Sequence, residues 1–176
     1  MKRLVTLVML FFLTLGASAQ QSKIPTILQI AEIEENDETV LSVFNMPNDE
    51  GNHYYLSVGT LGIGDEIFQI QFDPLFNLFI PLGSTLDEAL ETLQTIKAVL
   101  KEPKGTSIQM EGCFAAAFPN DHLETVTITR PNVVLGKKLM FSLERDGYIR
   151  ATHVSNMNLS GIISSVKFYH KIHPKE

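Results

Sequence analysis

Residues 81–105, PLGSTLDEALETLQTIKAVLKEPKG, carry a clean helical period in a chain whose other segments mostly alternate as strands do. Leu86, Leu90, Leu93, Ile96 or Val99, and Leu100 recur every three or four residues and so share one helix face. Asp87, Glu91, Gln94, Lys101 and Glu102 fall on or near the other faces. Ser84 or Thr85 supplies the cap. Thr85 with Glu88 three residues later matches a capping box, in which each side chain satisfies a backbone N–H that the first turn leaves without a partner. Acids at the start and lysines near the end complement the helix dipole, and Pro103 and Gly105 stop the helix. A helix with a single apolar stripe needs a surface to cover, and the ordinary surface is a sheet. Its expected role is therefore to plug a sheet rather than to carry chemistry.

The sheet is expected from ten segments: 25–35, 38–46, 53–61, 66–72, 75–82, 106–118, 123–129, 137–144, 148–155 and 161–172. Asn36-Asp37 and Asp146-Gly147 suit tight hairpins, PNDEGN at 47–52 reads as a loop, and Gly62 to Asp65 reads as a turn. EIFQIQF at 66–72 alternates with period two, whereas LFNLFIPL at 75–82 is apolar almost throughout, as in a strand covered on both faces. Gly112, Ala115, Ala116 and Ala117 let a neighbouring backbone come close, which places the helix against 106–118. The expected fold class is α+β and mostly antiparallel β: a sheet or two-sheet sandwich of about nine strands, with one amphipathic helix packed on it.

The N-terminus sets the compartment. Lys2 and Arg3 precede an apolar run from Leu4 to Leu15 and then Ala17-Ser18-Ala19, the three-part pattern of a secretory signal peptide over 1–19, too short in its apolar part to span a membrane. No cysteine follows the small residues, which argues against a lipid anchor. Removing those 19 of 176 residues leaves 157, from Gln20 to Glu176, a size suited to one β-rich domain that is secreted or periplasmic. Without Lys2 and Arg3, 12 bases face 20 acids, a net charge of −8 that argues against nucleic acid as a partner. The charge is uneven: Glu32 to Glu50 holds seven acids and no base, while Val126 to Glu176 holds eight bases and three acids. These read as two solvated faces that attract one another across the fold, or as an acidic region that takes a cation or a basic partner.

The lone Cys113 cannot close an internal disulfide, so packing holds the domain together, and its apolar setting predicts a buried, inert thiol. Chemistry is sparsely marked. GTLGIG at 59–64 lacks the spacing and the following helix of a dinucleotide loop, and no G-x-S-x-G occurs. His170 and His173 are the only close histidines. Read as a strand, their segment sends them to opposite faces, so no metal site and no cofactor are expected. No Trp is present to form a sugar platform, and Tyr54 and Tyr55 split between core and surface. The least generic catalytic candidates are Asp65, Asp73, Asp121, His122 and His153, with Glu111 and His53 beside them. In a eukaryotic host Asn158-Leu159-Ser160 would be a glycosylation sequon.

These observations point to a non-enzymatic binding or interaction domain whose partner is a protein, glycan or envelope component. A small secreted hydrolase built on those Asp and His residues is the alternative, and it requires them to converge in one pocket. An interaction domain would show an exposed apolar patch instead, or an unprotected edge strand.

Overall fold

A computed structural model describes residues 27–35, 38–59, 61–63, 77–114, 123–132, 136–145 and 147–174. The described strands are β1 (Leu28–Glu35), β2 (Glu38–Asn45), β3 (Tyr54–Val58), β4 (Leu61–Ile63), β5 (Leu78–Gly83), β6 (Ser107–Phe114), β7 (Glu124–Thr129), β8 (Lys138–Arg145) and β9 (Tyr148–Ser155). Helix α1 (Leu86–Ala98) lies between β5 and β6 and runs into a short 3-10 turn, Val99–Lys101, and helix α2 (Asn156–Ile172) follows β9. The broad α+β expectation holds, but the strands form a single antiparallel sheet in the order β1-β2-β3-β5-β6-β7-β8-β9-β4, not a sandwich. Two helices among the described residues cover it, not one. Helix α2 touches β1 and β2 toward one edge and β9 toward the other, and the 3-10 turn after α1 reaches β8, so the sheet curls around the helix layer.

The second helix corrects the strand expected over 161–172. The β-branched and aromatic residues of GIISSVKFYHKI favour a strand when taken alone. Yet Leu159, Ile162, Ile163 and Val166 repeat at helical spacing, all four are buried, and the Ser155 hydroxyl caps the first turn by accepting the Asn158 N–H at 3.1 Å. Leu61–Ile63, expected as the end of one strand and the start of a turn, pairs instead with β9. The strand expected at 66–72 lies outside the described residues.

Local chemistry explains how β5 passes into α1. Gly83 has φ +127°, and a Cβ there would lie 2.5 Å from the Glu88 Cβ, so the glycine lets Glu88 fold back over the helix start. Glu88 Oε2 then accepts from the Ser84 N–H (2.7 Å), the Ser84 hydroxyl (3.0 Å) and the Thr85 N–H (3.3 Å), while Thr85 Oγ1 accepts from the Glu88 N–H (3.2 Å). The capping box is complete, with Thr85 as the cap.

Leu86, Ala89, Leu90, Leu93 and Ile96 are buried in one cluster with Leu41, Val43, Leu56, Val58, Ile80, Ile128, Leu139 and Phe141 from the sheet. Helix α1 packs on β5, β3 and α2, not on β6 as expected. The small residue of β6 serves a different neighbour: a Cβ at Gly112 would sit 2.8 Å from the Phe79 carbonyl oxygen of β5 and 2.6 Å from Val126 Cγ2. Strand β5 is also not covered evenly on both sides, since Leu78, Ile80 and Leu82 are buried and Phe79 and Pro81 only half so. Asn45 and Ser57 show that the central strands bury polar groups as well.

Two changes test this account. Leu93→Ala empties a fully buried site and should cost roughly 2–5 kcal/mol, against about 1 kcal/mol for Thr85→Ala, both read from denaturant midpoints at unchanged slope. Hydrogen bonds from the Ser84 N–H, the Ser84 hydroxyl and Thr85 hold the Glu88 carboxyl below the ordinary glutamate range. A depressed carboxyl contributes stability above its unfolded value and loses it as the pH falls through its folded value. Below about pH 4.3 the wild type should therefore lose more stability than Glu88→Gln, and equal acid slopes would contradict the capping role.

Candidate functional site

Strand β1 begins the described sheet and has a paired neighbour, β2, on one side only among the described residues. Helix α2 packs along it. Glu35 Oε1 accepts from Asn158 Nδ2 at 2.8 Å in the first turn, and Ile33 lies against Gly161 one turn on. A groove of about 530 Å³ then opens between Ile30, Ala31 and Glu32 on the strand and Ser165, Phe168 and Ile172 on the helix. The strand runs antiparallel to the helix, so its first residues lie beside the last turns of α2.

This end of the molecule is apolar and open. Phe168 is 66% exposed, Ile172 54% and Leu28 43%, with Ile27 exposed next to it. Alongside the apolar floor runs an acidic rail. Glu32, Glu34 and Glu35 are exposed, and among the described residues no lysine or arginine comes within ion-pairing distance of Glu32 or Glu34. A hydrogen bond shared with Glu34, followed by desolvation and the Glu34 charge, raises the Glu32 carboxyl above the ordinary range. Gln29 Nε2 donates to Glu32 Oε2.

The expected catalytic residues do not assemble among the described residues. Asp65, Asp73, Asp121 and His122 lie outside them. His153 is exposed on β9 opposite Met140. His53 precedes β3, where its Nε2 is 3.0 Å from Asn48 Oδ1, and four strands separate β3 from β9 in the sheet. Glu111 is exposed on β6 opposite Thr125.

His170 and His173 are not on a strand as expected. His170 Nδ1 lies 3.7 Å from Asp87 Oδ1 of α1, and His173 caps α2 with its ring stacked 4.3 Å from Tyr169. No group of three or more His, Cys, Asp or Glu that could hold a metal occurs among the described residues. No helix among them is long and apolar enough to cross a membrane.

Sequence reasoning missed the groove because it read α2 as a strand. The helical spacing of 159–166, followed by apolar residues at 168 and 172 off that stripe, was the available signal. The sequon is likewise masked by the fold, because Asn158 is 5% exposed and its amide is engaged with Glu35.

On the far side of β6 sits Cys113, 1% exposed. Burial, and then the charge of Glu124, push its thiol up, while Arg145 pulls it partly back. Arg145 holds Glu124 in a two-pronged pair at 2.8 and 2.6 Å and lies 5.5 Å from the Phe114 ring centroid. The native thiol should therefore react with a disulfide reagent at pH 8 no faster than the domain opens; full labelling within seconds would show a nucleophile instead.

No protein-family model matches this chain, and no curated protein or solved structure shows significant similarity to it.

Proposed function

We propose that this chain is a secreted or periplasmic, non-enzymatic interaction domain that takes an extended, basic segment of a partner protein along β1 and in the groove beside α2. The single observation that carries the reading is the open apolar groove beside β1, which ends the described strand order and whose Glu32 and Glu34 meet no cation among the described residues. An edge strand offers a row of backbone N–H and C=O groups to a peptide, and pockets beside it select alternate side chains. Apolar residues of the incoming segment would cover Phe168 and Ile172, and lysines or arginines between them would meet Glu32 and Glu34. A second copy of this chain is a poor occupant, because β1 itself, LQIAEIEE, has no base to neutralise the acids it would join.

The test is recovery of partners from host envelope extract on the immobilised mature chain, beside a Phe168→Ser/Ile172→Ser variant. Both side chains are exposed, so melting should be unchanged while the partner is lost and a cross-link from β1 to it disappears. Equal recovery by both proteins would overturn the reading. Binding should also weaken with salt and strengthen as the pH rises through the Glu32 range, which lies above the roughly 4.3 of an ordinary glutamate, because only the charged Glu32 attracts a base.

A further inference from the structure

A second cleft, of about 560 Å³, lies between the end of α1 and the start of α2, away from the β1 groove. Lys97 and Lys101 enter it from the α1 segment and Lys137 from the residue before β8, with Gln94, Thr95 and Asn156 completing the polar wall. We propose that this cleft binds a phosphate or sulfate group carried on a sugar- or polyol-sized body, with the three ammonium groups as its anchors.

The charge is the first argument. Three lysines meet in one cleft of a chain whose formal net charge is −6, and Glu91 is the one acid among the described lining residues. None of the three lysines pairs with a carboxylate among the described residues. Lys97 Nζ donates instead to the Ser160 hydroxyl of α2 at 2.7 Å. Gathering like charges without a counter-charge is unfavourable, and it reverses sign when an anion enters.

The position of Lys137 is the second argument. Lysines at the end of α1 complement the negative end of that helix, which accounts for Lys97 and Lys101 without any ligand. It does not account for Lys137. The Lys137 carbonyl accepts the Asn156 N–H at 2.9 Å, which fixes this residue beside the first turn of α2, and that turn contains no acid. A base next to a positive helix end gains nothing from the dipole.

The lining also sets the ligand class. Ammonium groups serve a phosphate-like oxyanion as compact point charges, and the side-chain amides and hydroxyl of Asn156, Gln94 and Thr95 can bond further oxygens. The volume lies in the range of small-molecule sites and exceeds what an inorganic ion fills, so the anion arrives on an organic body. No aromatic residue among the described ones lines the cleft to stack on a nucleobase, so a sugar or polyol fits better. Its source is either a soluble ester or the headgroup of a lipid.

Calorimetric titration of the mature chain with glucose phosphate, glucose sulfate and glucose, together with co-sedimentation on phosphatidylglycerol vesicles diluted in phosphatidylcholine, tests the proposal. The charged esters should bind and glucose should not, and Lys101→Gln/Lys137→Gln should weaken binding at least about tenfold with unchanged melting of the unliganded protein. Vesicle binding that the double variant loses, with no response to soluble esters, would assign the anion to a lipid headgroup. No binding to any charged probe at about 10 mM, or equal binding by the variant, would overturn the site. Should the variant melt early, the side-chain amide resonances of Asn156 and Gln94 in the wild type decide: glucose phosphate must shift them, and its failure to do so is the same negative answer. Neither result bears on the β1 groove, which the serine substitutions at Phe168 and Ile172 test separately.

Discussion

The apolar stripe of α1 is the surface on which the rest of the fold depends. Leu86, Ala89, Leu90, Leu93 and Ile96 sit in one cluster with side chains from β2, β3, β5, β7 and β8, so one core built on this stripe joins parts of the sheet that are far apart in sequence. The chain has one cysteine and so no internal crosslink to hold it. Stability has to come from apolar area removed from water, at roughly 25 cal/mol per Å², and the helix layer provides the second surface that this requires. Helix α2 extends the same layer to β1, which lies beyond the reach of α1.

That division of labour explains why the candidate surfaces fall where they do. Along the first half of α2 the strand is sealed: Glu35 meets Asn158 and Ile33 fills the space over Gly161. Further on, the buried stripe of α2 ends at Val166, and the residues that follow, Phe168 and Ile172, are turned to solvent. The groove is thus the place where the helix outruns the strand that covers it. The lysine cleft arises at the other end of the helix layer, where the end of α1, the residue before β8 and the first residue of α2 meet.

The uneven charge of the chain acquires a spatial meaning in the same way. The acids of β1 and the bases of the C-terminal third are brought side by side through α2, yet no ion pair joins Glu32 or Glu34 to Lys167 or Lys171 among the described residues. A two-pronged pair, Arg145 with Glu124, instead ties β8 to β7 and leans on Phe114. Acid and base runs in this sequence therefore lie near one another without pairing at these positions among the described residues.

Features that depend on neighbours in the chain were settled by the sequence. The capping box of Thr85 and Glu88, the stripe from Leu86 to Ile96, the β8–β9 hairpin with Gly147 at φ +79° and the split of Tyr54 from Tyr55 all follow from interactions within a few residues. Tertiary structure decided what such interactions leave open. The β-branched residues of 161–172 could serve either a strand or a helix, and only the surface waiting over β1 and β2 selects the helix. The neighbours of β4 and β5, the place of β1 at the end of the described strand order and the meeting of Lys97, Lys101 and Lys137 rest on contacts between residues tens of positions apart, which no local period encodes. Both candidate surfaces belong to that second group, because each is made by elements well separated in the chain that come together on one helix layer.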